Sequence, residues 1–429
     1  MTAVVGILNK QAIAIAVDSA VTIQGNNGRK IFNKANKVFT LSKYHPVAIM
    51  IHNAASFMTT PWEVIIKVYR RQLADTSFSN VQDYVNNFIA FLTEKSFFTN
   101  AQMQLAFLED FSGMIINTVI EEASKANPSL LTHPTEENRA QFLQLVSEKV
   151  DGIMMSFSDN QTCSQFEGYT FEEFTGYSQE IIDGIIHGRF IINGFTLSPA
   201  LDEQLRRLVF TILKAKETVT NFTGLIFAGF GEDEIYPQLV PINVSMVVNN
   251  RLRYFIEDSR IASISDVNNA AICPFAQTDV IDTILSGVDP TLDNIYLKNF
   301  TALFSKYNNE ILTIVGNTNP QLAAQIQALN INLLLNEYRG MNDRIKRENH
   351  IQPLLDAVGT LSKEDLAEMA ESLIYLTYLK RRITFAEESV GGPVDVAVIS
   401  KGDGFVWIKR KHYFRPELNQ HFFNNYFKQ

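Results

Sequence analysis

The residue with the clearest chemical potential is Thr2, which directly follows Met1. A methionine before a small residue is normally removed, so we expect the mature chain to begin with Thr2 and to carry a hydroxyl and a free α-amine on one residue. A threonine hydroxyl is a weak nucleophile, but an α-amine with a pKa of about 7.7–8.0 can take its proton at neutral pH. Thr2 is therefore predicted to be a nucleophile that supplies its own base.

Such a nucleophile has to be held rigidly to reach a substrate, and the residues that follow Thr2 predict a strand. Apolar and β-branched residues alternate over 2–8 and again over 12–17, on either side of a polar break at 9–11. This pattern predicts a β-hairpin that starts at once. Because most domains leave their first residues loose, a strand here indicates that the terminus has a fixed position.

The rest of the chain predicts an α+β protein. Strand-like segments cluster over 2–18, 31–52, 223–263 and 393–409, and the long stretches between them have helical periodicity. A helix is expected from about Phe275 to Leu285, and Ser362 is expected to cap a later one. We predict one discontinuous strand-bearing domain, two helical insertions and a tail: residues 1–78 with 222–289 and 356–415 for the domain, 79–221 and 290–355 for the insertions, and 416–429 for the tail.

Three early segments and one late segment resemble the catalytic β subunits of the proteasome and the HslV-like bacterial threonine peptidases, which are N-terminal nucleophile (Ntn) hydrolases. The early segments are 2–7, 14–18 and 36–39, and the late one is 391–405, with its Gly-Gly pair and a tight turn. The resemblance covers about half of the chain, and its informative feature is the order of these segments along the sequence. It implies an α+β, four-layer αββα sandwich that carries the two helical insertions.

The resemblance also implies site residues. Thr2 would attack a carbonyl carbon, Lys37 would lower the pKa of the Thr2 hydroxyl and amine through its positive charge, and Asp18 would keep Lys37 charged. Lys34 and Lys30 compete with Lys37 for this role. A backbone N–H at the end of the strand VAIMIHN, from Ile51, His52 or Asn53, would bind the oxyanion.

The chain departs from this family at three places. The oxyanion position lacks the usual glycine. Before the Gly-Gly pair, Glu387 stands in place of the family's aspartate, and Ser389 lies one position earlier than the family's serine. Ser389 is still expected to reach Thr2. The serine that usually opens the third helix has no clear match in 273–277.

Composition excludes several classes of function. A net charge of −9 argues against nonspecific nucleic-acid binding, and no apolar run is long enough for a membrane span. The first residues lack the features of a signal peptide, and Cys163 and Cys273 lack metal or disulfide spacing. We expect a cytoplasmic protein without a cofactor or metal, in which both cysteines are incidental and His52 is a packed core residue.

These observations lead to three alternative functions. The first is a threonine-type amide-bond hydrolase, a proteasome-like peptidase that acts on a peptide or protein and can form homo-oligomers. The second is a catalytically inactive scaffold whose helical insertions bind a partner protein. The third is an Ntn amidase that acts on a small molecule. Nucleic acid and membrane are not expected as partners.

Overall fold

The computed structural model describes residues 2–25, 28–42, 44–94, 99–132, 135–219, 221–327, 331–384, 390–412 and 414–421. Its strands, in chain order, are β1 (Ala3–Asn9), β2 (Ile13–Val17), β3 (Val21–Gly25), β4 (Gly28–Phe32), β5 (Val38–Thr40), β6 (Val47–Asn53), β7 (Ser56–Phe57), β8 (Thr60–Pro61), β9 (Thr223–Gly229), β10 (Gln238–Val248), β11 (Arg251–Ile256), β12 (Ala262–Ser263), β13 (Ala270–Ala276), β14 (Asp395–Ser400) and β15 (Gly404–Lys409).

The helices lie mainly between these groups of strands. They are α1 (Trp62–Leu73), α2 (Val81–Glu94), α3 (Ala101–Ala126), α4 (Ser129–Thr132), α5 (Glu136–Ser156), α6 (Phe171–Ile186), α7 (Pro199–Lys214), α8 (Asp279–Ser286), α9 (Pro290–Gly316), α10 (Pro320–Gln327), α11 (Ile331–Lys346), α12 (Gln352–Val358) and α13 (Lys363–Ile383). Ser362 caps α13 with a capping box, as predicted. The α+β class is confirmed, while the division into domains stays a prediction.

Two antiparallel sheets dominate the strand-bearing part. The first has the order β13-β1-β2-β14-β15, and the second has the order β11-β10-β9-β6-β5, with β12 paired to β10. β1 lies between β2 and β13, and its residues are all buried. A strand covered on both faces has apolar residues at successive positions, which explains the sequence AVVGIL.

The apolar residues of the hairpin β1–β2 divide between two cores. Ile13 and Ile15 of β2 join residues of the second sheet in one cluster, so the two sheets pack face to face. Ala14 and Ala16 point the other way and join Ala370 of α13 in another cluster. Successive strand residues point to opposite faces, and the small alanine side chains on this face let the helix approach the sheet closely.

The other face of the second sheet is covered by helices. Ile49 of β6 and Phe227 of β9 belong to one continuous cluster with Trp62 of α1, Phe88 of α2 and Leu208 of α7. The helices of the range 79–221 therefore share a core with this sheet. In contrast, α9 has no buried residue.

The sequence missed one strand of the first sheet. Residues 270–276 form β13 and pair with β1, and α8 begins only at Asp279, so the helix expected from Phe275 starts four residues later. Pro274 argues against a strand because proline has no N–H to donate to a sheet, but β13 is the edge strand of its sheet, where such a residue is tolerated. In the part of the chain that the structure describes, no helix is long and apolar enough to cross a bilayer.

Candidate functional site

Thr2 is held at the start of β1 by the strands on both sides. Its carbonyl accepts a hydrogen bond of 3.1 Å from the N–H of Gln277, which follows β13. The next residue, Ala3, pairs with Ala276 and accepts a bond of 3.1 Å from the N–H of Asp18, which follows β2. Thr2 is 3% exposed. The chain start is therefore fixed between two strand ends.

Lys37 lies directly before β5, and its ammonium group contacts both Thr2 and Asp18. Nζ donates to Thr2 Oγ1 at 2.9 Å, to Asp18 Oδ1 at 2.8 Å and to the carbonyl of Ala20 at 2.5 Å. An ammonium has three donors, and these contacts use all of them. Lys34 is exposed, so the structure brings Lys37, not Lys34, to Thr2.

Asp18 receives hydrogen bonds on both carboxylate oxygens. Oδ1 accepts from the N–H of Ala3 at 3.0 Å as well as from Lys37, and Oδ2 accepts from the N–H groups of Ala20 and Gly391, both at 3.1 Å. These donors come from distant parts of the chain, and Asp18 is 1% exposed. Asp18 therefore connects the chain start, Lys37 and the late Gly-Gly pair.

The Gly-Gly pair reaches this site through a backbone position that favours glycine. Gly392 has a φ of +77°, and a Cβ there would lie 2.7 Å from the carbonyl oxygen of Asn33. The carbonyl of the neighbouring Gly391 accepts from the N–H of Ser19 at 3.1 Å. The late segment is therefore anchored beside Asp18. Ser389, predicted to reach Thr2, lies outside the described residues.

Burial and charge act on Lys37 in opposite directions. Burial lowers the pKa of Lys37 below its usual value of 10.5, and the neighbouring Asp18 carboxylate raises it, with burial the larger effect. The expectation that Asp18 keeps Lys37 charged is thus opposed by burial. A lysine with a lowered pKa exchanges a proton with a bound hydroxyl at less cost than an exposed one.

Thr2 lines an open cleft of about 1150 Å³. Several of its lining residues come from β11, the turn after it and β13. Others lie at 159–161 and 216–218, which precede α6 and follow α7, respectively. Arg253, 2% exposed, fixes the segment after α7 because it donates to the carbonyls of Leu213, Ala215 and Glu217 at 2.8–3.0 Å. A helical range predicted to be an insertion thus contributes to the cleft.

The end of β6 presents one backbone N–H to this cleft region. The N–H of Phe230 donates to the carbonyl of Pro46, and the N–H of Ala54 donates to the carbonyl of Phe222. These bonds fix the alternation between β6 and β9, so the backbone hydrogen bonds of the even-numbered residues of β6 go to β9. The odd-numbered residues turn their N–H groups toward β5, where that of Ile51 donates to the carbonyl of Lys37 at 2.8 Å.

β5 begins at Val38, so no strand residue lies opposite Asn53. Of the three residues considered from the sequence, Asn53 is the one whose N–H has no strand partner among the described residues. Its φ of +70° is one that asparagine tolerates better than most residues. Asn53 lines the cleft together with Thr2.

Sequence reasoning also missed the residues that open α8. Thr278 precedes α8 and lines the cleft, next to Gln277, which binds the carbonyl of Thr2. These residues could be found only by recognising β13, because its register with β1 places the residues that follow it beside Thr2. Among the described residues, no group of three or more His, Cys, Asp or Glu side chains is arranged to hold a metal ion.

Comparisons with known proteins give structural similarities but no family. No protein-family model matches the chain, and no curated protein matches it. One similar solved structure is a protein described as "Anbu (Gly-1) mutant" from Hyphomicrobium sp. strain MC1, with 8% sequence identity and a TM-score of 0.28 over 99% of this chain and 95% of that one. A TM-score this low carries no weight for the fold or the function of this chain.

Proposed function

We propose that this protein is a threonine-type amide-bond hydrolase in which Thr2, as the first residue of the mature chain, is the nucleophile. One observation carries the proposal: the buried Lys37 ammonium lies between Thr2 Oγ1 and Asp18 Oδ1, at 2.9 and 2.8 Å. A hydroxyl that accepts a hydrogen bond from an ammonium is easier to deprotonate, because the cation stabilises the alkoxide that forms.

The reaction follows from these positions. Thr2 Oγ attacks the carbonyl carbon of the scissile amide while its proton passes to the α-amine of the same residue. The tetrahedral oxyanion accepts a hydrogen bond from the N–H of Asn53. The α-ammonium then returns the proton to the leaving nitrogen as the C–N bond breaks. Water finally hydrolyses the ester on Thr2 by the same transfers.

The two sheets support the finer fold assignment that goes with this function. Their facing surfaces share an apolar cluster, and helices cover both outer surfaces. We infer that this arrangement is the αββα sandwich of the Ntn hydrolases, with Thr2 at the start of an inner strand of one sheet and Asn53 at the end of a strand in the other. The inference rests on layer order and strand register.

The openness and the lining of the cleft favour a peptide substrate over a small molecule. The cleft is open to solvent and measures about 1150 Å³, close to the upper end of the range of about 300–1000 Å³ for small-molecule sites. Polar and charged residues line it, including Asp159, Lys216 and Arg260. These features suit an extended chain with several side chains, so peptidase activity is the preferred form of the proposal.

A covalent probe tests the nucleophile. A β-lactone or peptide boronate is expected to bind Thr2 of the purified full-length protein, and the T2A variant is expected to lose the modification. T377A is a matched control, since Thr377 is a buried threonine of α13 whose hydroxyl bonds within its own helix. It is expected to react like the wild type.

Intact mass spectrometry and peptide mapping report both the site of modification and the state of the terminus. Retention of Met1 in the purified protein would contradict the proposal, because Thr2 would then have no free amine. Labelling that persists in T2A would equally rule out Thr2 as the nucleophile. K37M is expected to lose labelling as well, since it removes the ammonium but leaves a side chain of similar length.

A further inference from the structure

Two buried polar atoms without partners border the cleft that contains Thr2. They are His52 Nε2 and Asn243 Oδ1, and neither has a hydrogen-bond partner among the described residues. His52 is 7% exposed and Asn243 is 2% exposed, and both residues line the cleft. Buried polar atoms in native proteins are nearly always paired, so each of these atoms is suited to a bound group.

The two side chains lie in one row across the second sheet. His52 of β6 pairs with Gly224 of β9, and Gly224 pairs with Asn243 of β10. Directly paired residues project to the same face of a sheet, and the outer two strands of three are separated by about 9–10 Å. The middle position of the row carries no side chain.

Gly224 leaves room for the imidazole ring. A Cβ at this position would lie 1.9 Å from His52 Nε2, so the ring of His52 leans across the glycine and Nε2 lies above the strand between His52 and Asn243. The ring is also stacked on Phe275, with centroids 6.0 Å apart. His52 is therefore held in place by packing, and Nε2 makes no hydrogen bond to any of the described residues.

The orientation of the Asn243 amide is fixed by its neighbour. Its Nδ2 donates to Glu257 Oε1, which can only accept, so the unpaired Oδ1 is a hydrogen-bond acceptor. The other carboxylate oxygen of Glu257 accepts from Arg260 Nη1 at 3.2 Å. The row thus offers one acceptor from Asn243 and one nitrogen from His52.

His52 is neutral at physiological pH. Burial and the positive charges of Arg260 and Lys37 lower the pKa of His52 to about 4. The same two cations disfavour a positively charged ligand beside the ring. An anionic ligand is disfavoured on the other side, where Asn243 Oδ1 and the Glu257 carboxylate lie. A neutral group that both donates and accepts hydrogen bonds satisfies the row best.

We propose that His52, Gly224 and Asn243 form a subsite for the primary carboxamide of a glutamine or asparagine side chain. A carboxamide presents an N–H and a carbonyl side by side, which matches an acceptor and a neutral imidazole better than a single hydroxyl does. This inference rests on the proposed hydrolase function, for which it defines the substrate class.

The subsite lies close to the nucleophile. Phe275, which stacks on His52, pairs with Val4 of β1. Val4 is two residues from Thr2, a separation of roughly 7 Å along a strand. A side chain in the subsite therefore belongs to a residue within two positions of the scissile bond.

Matched peptide substrates test the specificity. Fluorogenic peptides that differ only in Gln, Leu, Glu or Lys at one of the two residues before the scissile bond are compared by kcat/KM. Glutamine is expected to be preferred roughly 10-fold or more, because the analogues either leave the buried atoms unpaired or bring a charge. H52F keeps the stacking on Phe275 but removes the nitrogen, and it is expected to reduce the preference to about 2-fold or less.

S178A is the matched control, since Ser178 Oγ is also a buried atom without a partner among the described residues but does not line the cleft. It is expected to keep the wild-type preference for glutamine. A wild-type enzyme without that preference would overturn the proposal, because the subsite would then hold only water. A preference that H52F retains would overturn it as well.

Binding to the T2A protein separates the subsite from the chemistry. Calorimetry with uncleaved Gln and Leu peptides is expected to give a Kd roughly 10-fold lower for Gln, and this difference is expected to disappear in T2A/H52F. If T2A still cleaves peptides, the proposed nucleophile is wrong, but the binding difference still decides the subsite. Equal affinities for the two peptides would refute the subsite, even if labelling of Thr2 supports the hydrolase.

Discussion

Replacement of Asp18 by asparagine tests the geometry of the site without relying on activity. Asp18 accepts four hydrogen bonds, two on each carboxylate oxygen, from the N–H groups of Ala3, Ala20 and Gly391 and from Lys37 Nζ. Asparagine has nearly the same shape but only one acceptor oxygen. In either orientation of the amide, two donors face an NH₂ group that cannot accept.

The expected loss of stability follows from this count. Asp18 is 1% exposed, so water does not readily replace the lost acceptor. A buried donor left without a partner costs about 1–3 kcal/mol, and two such donors therefore predict a decrease of about 2–6 kcal/mol in the free energy of unfolding for D18N. In either orientation the amide is neutral, so Lys37 also loses its anionic partner, which favours the upper end of the range.

Urea unfolding followed by circular dichroism measures this difference. D395N is the matched control: Asp395 is also buried and pairs with Lys411, but among the described residues one oxygen accepts from the Lys411 N–H alone and the other from Lys411 Nζ alone. An asparagine amide there can keep the backbone bond and leaves one donor, Lys411 Nζ, without an acceptor, so a decrease of about 1–3 kcal/mol, roughly half of that for D18N, is expected. A decrease below about 1 kcal/mol for D18N, or an equal one for D395N, would refute the described role of Asp18.

Three further predictions concern residues around the cleft. G224A is expected to destabilise the protein by about 1–3 kcal/mol in urea unfolding, because its Cβ would lie 1.9 Å from a buried imidazole nitrogen; wild-type stability would show that the His52 ring lies elsewhere. The pKa of His52 is lowered to about 4 in the folded protein, so as the pH falls from 6.5 the unfolded chain binds a proton at this residue before the folded chain does. Between pH 6.5 and 4 the free energy of unfolding of the wild type should therefore fall by about 3 kcal/mol more than that of H52F. Parallel pH profiles of stability for the two proteins would contradict this. R253M is expected to lose about 3–5 kcal/mol in urea unfolding, since Arg253 donates to several carbonyls at the end of α7; a loss under 1 kcal/mol would show that solvent replaces these bonds.

The sequence by itself determined the elements whose signals are local. The alternation over 2–17 specifies the hairpin β1–β2, because a period of two places apolar side chains on chosen faces of a strand. Ser362 and Asp365 specify the start of α13, since a capping box needs only residues three positions apart. Residue type and order along the chain also predicted Thr2, Asp18 and Lys37 as site residues.

Only the tertiary structure decided which of these residues meet. Lys37, not Lys34, contacts Thr2 because of how the chain between β4 and β5 passes the end of β1, and no local pattern encodes that path. The role of Asn53 depends on the register of β6 between β5 and β9. The strand β13 was hidden by Pro274, which an edge strand tolerates.

The row of His52, Gly224 and Asn243 was likewise beyond the sequence, which suggested only a packed histidine. Its members come from three strands, and residues 52 and 224 are separated by the helices α1–α7. Pairing between distant strands is set by the best total packing of both sheets, not by the preferences of any one segment. Local chemistry thus specified the pieces of the site, and long-range register specified their arrangement.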